Sequence, residues 1–389
     1  MDKVRYGIIG LGNQGSFYLR LLLEGKVTDG EVTAVCDINP DKIKNAQSKG
    51  FNGATFADYK EMIASGLVDA ILVEVPHYYH PEISIYGLTH GMHVLCDKPA
   101  GVYTKQVKEM NAVADKSDKL FGLMFNQRTD CNYRAVREMI KNGELGEVKR
   151  VNWIITNWFR TQAYYNSSSW RATWKGEGGG VLLNQCPHQL DLIQWVTGMM
   201  PTSIHSFCRM GKWHDIEVED DVTAYLEYAN GATGVFITTT GEGCGTNRLE
   251  IVGEKGKVVV EDNKVMFAKS FGSDSDIIKN DSRAFVNPIE TEYQVETDGN
   301  NLQHLGILLN FTQAILGKEE LFVKGQEGIN GVQIMDAMLL SSFLGKAVTL
   351  PIDDDLYLEE LNKRIQSSAD KQVEEVVFDT SNTFAGVKK

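Results

Sequence analysis

The chain has 389 residues, 42% of them hydrophobic, and a formal net charge of −13. That length suits two domains, each with its own core, and no stretch approaches the ~20 apolar residues of a membrane span. The negative charge disfavours nucleic acid and anionic membranes, which demand clustered cations; the expected partner is a neutral or modestly charged small molecule.

The first predicted element is an apolar strand, Val4 to Ile9, that runs into Gly10-Leu11-Gly12-Asn13-Gln14-Gly15. Three glycines at G-x-G-x-x-G spacing permit a tight turn, backbone approach to a pyrophosphate and close packing of the next helix. That helix is read over Phe17 to Glu24, and a second strand, Val32 to Cys36, ends on Asp37, 22 positions after Gly15. A carboxylate there accepts both ribose hydroxyls and repels a 2′-phosphate, which favours NAD over NADP. The other reading of Asp37 is a turn residue leading into the Asn39-Pro40-Asp41 helix entry. The candidate cofactor contacts here are Gly10, Gly12, Asn13, Gln14, Gly15 and Asp37. A strand beginning at residue 4 leaves no room for a signal peptide, so a cytoplasmic location is expected. Six scattered cysteines without a C-x-x-C pair read as reduced thiols.

Further short strands follow: Val68 to Val75, closing on Pro76-His77-Tyr78-Tyr79-His80; His93 to Cys96, closing on Asp97-Lys98-Pro99; and Leu120 to Phe125. Strands separated by helices imply a parallel sheet with its ligand at the carboxyl ends of the strands. Pro76, His80, Asp97 and Lys98 therefore join the candidate cofactor site, with Gln127 beside them and Arg128 facing a substrate. Lys98, held extended before a proline, projects toward the cofactor or stands solvated in a loop. His77, His80 and Cys96 lack an anchored metal-ligand spacing, and no metal is expected.

Residues 1–126 form the first predicted domain and 127–389 the second, where longer strands and hairpin turns appear. Val148 to Trp158, Val222 to Tyr228, Thr233 to Thr240, Arg248 to Val252, Lys257 to Glu261 and Lys264 to Phe267 read as a large, open, mainly antiparallel sheet. Helices, including Asn184 to Thr197 and Leu302 to Leu316, should cover one face. The other face is expected to join subunits of a homo-oligomer. The last residues, from about Thr380, read as an arm or frayed tail.

Between these elements, the loop Asn157 to Lys175 interleaves aromatics with guanidinium and amide donors. Arg160, Tyr165, Trp170, Arg171 and Trp174 suit a polyhydroxylated ring, or else they tuck the loop onto its own domain. The segment Gly178-Gly179-Gly180 then leads into Asn184-x-x-x-His188-x-x-Asp191, read as one helix with Asn184 as N-cap. Near a helix N-terminus the macrodipole favours a neutral imidazole, which a general base requires. Asn184, His188 and Lys98 are the catalytic candidates, and the first two also line the substrate position.

The glycine fingerprint, the Pro76 to His80 segment, Asp97-Lys98-Pro99 and the Asn184/His188/Asp191 spacing together resemble the Gfo/Idh/MocA oxidoreductases over nearly the whole chain. The resemblance implies a Rossmann domain followed by an α+β domain, NAD as cofactor, Lys98 as an active-site lysine and His188 as the residue that exchanges the hydroxyl proton. Two positions depart from the family pattern: Asp97 stands where glutamate is usual, and Asn184 where aspartate is common. Trp170-Arg171-Ala172-Thr173-Trp174 resembles the branch that oxidises sugars and glycosides, some of whose members act at C3. A cyclitol dehydrogenase, an NAD-dependent glycoside-cleaving enzyme of the same fold and a non-catalytic NAD-binding sensor are the alternatives.

Overall fold

Apolar runs too short for helices, four of four residues buried in Ala70–Val73, mark strands covered on both faces. Six of them form a parallel sheet in the computed structural model, which describes residues 2–371; the tail expected from Thr380 lies outside the described residues. The strands are β1 (Val4–Ile9), β2 (Gly30–Cys36), β3 (Ala54–Phe56), β4 (Ala70–Val73), β5 (His93–Cys96) and β6 (Phe121–Leu123), in the order β3-β2-β1-β4-β5-β6. Parallel neighbours need crossovers. These are α1 (Asn13–Leu23), α2 (Pro40–Ser48), α3 (Tyr59–Ala64), α4 (Tyr79–Thr89) and α5 (Thr104–Ala114). Strand order reverses between β1 and β4, which opens a crevice at their carboxyl ends.

After α6 (Cys131–Lys141) the chain builds a nine-stranded sheet. Its strands are β7 (Val148–Ile155), β8 (Pro201–Met210), β9 (Glu219–Tyr228), β10 (Thr233–Thr239), β11 (Asn247–Gly253), β12 (Gly256–Glu261), β13 (Lys264–Ser270), β14 (Ile289–Gln294) and β15 (Val348–Thr349). Every pair is antiparallel except β7 with β10. Asn230-Gly231 turns β9 into β10 as read. Asp262 and Asn263, at φ 47° and 62°, form the second expected turn, between β12 and β13.

The remaining helices are α7 (Gln162–Tyr165), α8 (Val181–Asn184), α9 (Pro187–Thr197), α10 (Asp274–Asn280), α11 (Gln303–Ile315), α12 (Gly328–Leu344) and α13 (Asp354–Ser367). Helix α12 packs on β8 and α9, whereas Phe207 of β8 and Tyr225 of β9 are exposed on the opposite face. The second lobe also reaches back onto the first. Tyr6 in β1 shares a 2.7 Å hydrogen bond with Thr312 in α11, and Asp336 in α12 accepts from the Thr104 N–H and hydroxyl at 2.8 and 2.6 Å.

The single helix expected over Asn184 to Thr197 is two, separated at Gln185-Cys186. Pro187 has no N–H to give, and its ring would meet the carbonyl of the preceding turn, so α8 cannot run through it. It takes the first turn of α9 instead. Asn184 is therefore the last residue of α8 rather than an N-cap, and it does not share a helical face with His188.

Candidate active site

The glycine turn sits at the crevice. Gly10 has φ +93°, and a Cβ there would lie 2.2 Å from the Glu74 carbonyl oxygen, while one at Gly12 would meet nothing within 4 Å. The turn is thus closed on its protein side and open where a pyrophosphate would approach, with the N-terminus of α1 behind it. Asp37 Oδ2 accepts from the Leu11 N–H at 2.7 Å and Oδ1 from the Asn39 N–H at 2.8 Å. This carboxylate first braces the turn, and each oxygen keeps a second lone pair for a hydroxyl. Gln14 turns its amide onto Tyr18 at 2.7 Å, so its side chain belongs to α1. These residues fit a dinucleotide.

At the next strand end, His80 is 1% exposed, with Nδ1 2.7 Å from the Pro99 carbonyl and Nε2 2.8 Å from that of Val75. It clamps the segment after Pro76 to the Asp97-Lys98-Pro99 turn rather than offering a free ring. Asp97 follows β5 with its N–H on the Val73 carbonyl at 3.0 Å. Burial raises the proton affinity of its carboxyl, against the pull of Lys98 and His80.

Lys98 crosses between the lobes: its ammonium donates to the Asn184 backbone carbonyl at 3.1 Å. Four residues on, His188 is buried in the first turn of α9, packs edge to face on Phe125 at 6.3 Å, and leaves Nδ1 without a hydrogen-bond partner among the described residues. Burial, then the Lys98 ammonium, then His304, push the proton affinity of His188 well below the ordinary imidazole value. Burial and the neighbouring charges favour the neutral ring expected from the macrodipole, and do so for other reasons. An ammonium from the first lobe thus stands near enough to an imidazole of the second to lower its proton affinity.

The loop stacks above them. Arg171 lies 4.4 Å from the Tyr164 ring centroid and 4.7 Å from that of Trp170, with Arg160 5.0 Å from Tyr164 on its own account. Arg171 Nη1 also donates to the Tyr164 hydroxyl at 2.6 Å. Trp170 in turn meets His77 edge to face at 5.9 Å.

Three expected substrate contacts are buried and hydrogen-bonded within the protein. Arg128, 1% exposed, gives Nε and Nη2 to Asp191 at 2.7 and 2.6 Å and Nη1 to Glu327 at 2.5 Å. Its charge is spent holding α9. Tyr165 gives its hydroxyl to Thr240 at 2.8 Å, and Trp174 gives its indole N–H to the Glu217 carbonyl at 3.0 Å. Both anchor the loop. Gln127 accepts from Gln189 at 3.3 Å. Tyr164 belongs to the aromatic and cationic cluster expected of this loop, whereas His304 and Glu177 were not expected here, although an acid set directly before three glycines was a visible signal.

Fold and cleft together define a two-lobed protein whose first lobe has the architecture of a dinucleotide-binding domain. Residues 4–125 match the oxidoreductase family with an NAD-binding Rossmann fold, and residues 133–259 match the GFO/IDH/MocA C-terminal domain. The chain belongs to the Gfo/Idh/MocA oxidoreductases, and its cofactor is NAD. It is 27% identical to the rhizopine catabolism protein MocA of Rhizobium meliloti, over 52% of this chain and 60% of that one. The D-glucoside 3-dehydrogenase of Escherichia coli K12 is likewise 27% identical, over 59% of this chain and 68% of that protein. The WlbA dehydrogenase of Chromobacterium violaceum, solved with NADH and UDP-GlcNAcA, superposes with a TM-score of 0.78 at 26% identity, covering 91% of this chain and 97% of its own. Among the described residues, no helix is long and apolar enough to cross a membrane.

Proposed function

We propose that the protein oxidises a secondary ring hydroxyl of a sugar or glycoside, C3 of a glucosyl group first among them, to the 3-oxo product. The observation that carries this reading is the Lys98 ammonium held on the Asn184 carbonyl, four residues before a buried, neutral His188, beside a glycine turn open on its ligand side. NAD, held by the Gly10–Gly15 turn and Asp37, supplies the hydride acceptor. His188 takes the hydroxyl proton on a ring nitrogen, and Lys98 stabilises the oxygen as negative charge develops on it. Arg160, Trp170 and Arg171 hold the sugar, whose apolar faces suit the indole and whose hydroxyls suit the guanidinium groups. Residues 1–126 serve as the cofactor domain and 127–389 as the substrate domain. The outer face of the nine-stranded sheet, with Phe207 56% exposed and Tyr225 44% exposed, serves as the contact between subunits.

The supporting test is NADH formation, followed by absorbance, across glucosides and cyclitols, with the oxidised carbon assigned by NMR of the product. His188→Ala and Lys98→Ala should each lower kcat/KM by about 100-fold or more, with the Kd for NADH, read by fluorescence, within about threefold of the parent. Unchanged turnover in both variants removes the assignment. Net glycoside cleavage without accumulation of NADH replaces it with bond-breaking chemistry on the same fold, and turnover confined to cyclitols moves the substrate class.

A further inference from the structure

Behind the Lys98–His188 pair lies a carboxylate with no part in the steps above. Glu177 is 1% exposed, between the substrate loop and α8. Its Oε2 accepts the Ala172 N–H at 2.6 Å, its Oε1 accepts from Asn184 Nδ2, and Arg171 Nη1 stands 3.9 Å away. All three of these neighbours are N–H donors. A protonated carboxyl would direct an O–H at them with nothing to accept it, so the geometry suits the ionised form. Ala172 holds φ +56°, a left-handed conformation that a residue with a Cβ adopts at a cost, and it does so while delivering its N–H to Glu177.

The other groups that face this carboxylate are Lys98 from the end of β5, Lys371 from the C-terminal segment, and Tyr165 and Glu219 from the second lobe, while His77 from the turn before α4 meets the Glu177 backbone. Burial raises the proton affinity of Glu177; Arg171, the Ala172 N–H, Asn184 and Lys98 lower it. With Nδ2 of Asn184 taken by Glu177, Oδ1 is left to accept from the Tyr164 hydroxyl at 3.1 Å and from Gln185 at 2.9 Å. Asn184 is a neutral relay between an acid seven residues earlier and the ammonium on its own carbonyl.

We propose that Glu177 is a positioning residue for the oxidation: bonded to Asn184, it provides the negative charge that holds the Lys98 ammonium and the Arg171 guanidinium in register around the substrate. The proposal rests on the dehydrogenase reading, and it explains why an uncharged residue suffices at position 184. The charge stands at 177 instead.

The test moves that charge. Glu177→Gln should lower kcat about 10- to 100-fold with NADH affinity unchanged, and Asn184→Asp alone should also lose activity, because two carboxylates then crowd one site. The double variant Glu177→Gln/Asn184→Asp should recover at least tenfold over Glu177→Gln. A double variant no better than the worse single one overturns the proposal. A second readout needs no substrate: acetylation of Lys98 by acetic anhydride at pH 8, quantified by peptide mass spectrometry, should rise in Glu177→Gln and return toward the parent level in the double variant. Labelling equal in all four proteins also overturns it. If the parent enzyme forms no NADH from any sugar or cyclitol, the dehydrogenase reading fails, while the labelling still decides the role of Glu177. Should Glu177→Gln lose its thermal transition, Glu177→Asp keeps the charge and should leave Lys98 labelling at the parent level; a rise contradicts the proposal.

Discussion

A buried imidazole beside an ammonium binds a proton weakly, and the pH profile should carry that signature. His188 has its proton affinity lowered by burial and by Lys98, so the neutral, proton-accepting form persists as pH falls through the ordinary imidazole range. In the oxidation direction the acid limb of kcat/KM should therefore have its midpoint below 6.5, the ordinary value for histidine. A midpoint at 7 or above contradicts the assignment. Histidine and lysine were both legible, because a proline after one and a glycine-led helix before the other place them at strand and helix ends. The fates of Arg128, Tyr165 and Trp174 were not. Their partners Asp191 and Glu327, Thr240, and Glu217 lie tens of residues away or more, and side-chain chemistry alone cannot distinguish a buried anchor from a ligand contact. Arg128→Ala leaves the Asp191 carboxylate buried without its cation. It should cost about 3–5 kcal/mol in urea denaturation; a loss under 1 kcal/mol would show that the pair holds little.

Among the elements, the short helix α8 governs the site. Glu219 in β9 accepts the Gly180 and Leu182 N–H groups at 2.9 and 3.0 Å, taking up donors at the start of a helix only four residues long. A Cβ at Gly180 would lie 1.9 Å from the Glu219 carbonyl oxygen. Gly180→Ala should cost on the order of 2–4 kcal/mol and displace Asn184 from Lys98, so stability by denaturant and kcat should fall together. A variant within 0.5 kcal/mol of the parent refutes that role. Five strands of the first sheet and six of the second were readable from β-branched runs and from the two Asn-containing turns, whose chemistry is local; the short β3 and β15 and the wholly exposed β14 were not. The break between α8 and α9 was not, because a proline is compatible both with the first turn of one helix and with the end of another. Strand β8 also escaped the reading. Its alternation of buried and exposed residues begins at a proline and carries His205, Ser206 and Arg209, which dilute the apolar signal.

At the scale of the molecule, the second half of the chain closes over the first. Asp336 ties α12 to the start of α5, and burial raises the affinity of its carboxyl to about 8. The native state then keeps a proton that the unfolded chain releases above about pH 4. The contribution is present at low pH and is lost as pH rises toward 8, at roughly 1 kcal/mol per pH unit. The stability of the parent relative to Asp336→Asn should accordingly fall between pH 5 and pH 8 in urea titrations, and a constant difference contradicts the linkage. Light scattering should give a dimer or larger assembly, reduced to the monomer by Phe207→Asp with Tyr225→Asp; a monomeric parent rules out the sheet-face contact. The parallel sheet was visible from the alternation of strands and helices. The return of α11 onto β1 was not, since Tyr6 and Thr312 meet across 306 residues.

In the proposed reaction an imidazole from one lobe and an ammonium from the other act on a single alcohol. A crystal structure with NADH and an unreacted glucoside tests it most directly. One sugar hydroxyl oxygen should lie within about 3.2 Å of both a His188 ring nitrogen and Lys98 Nζ, with its carbon facing the nicotinamide. A hydroxyl bound to neither group, or a sugar seated away from the mouth of the Gly10–Gly15 turn, would contradict it.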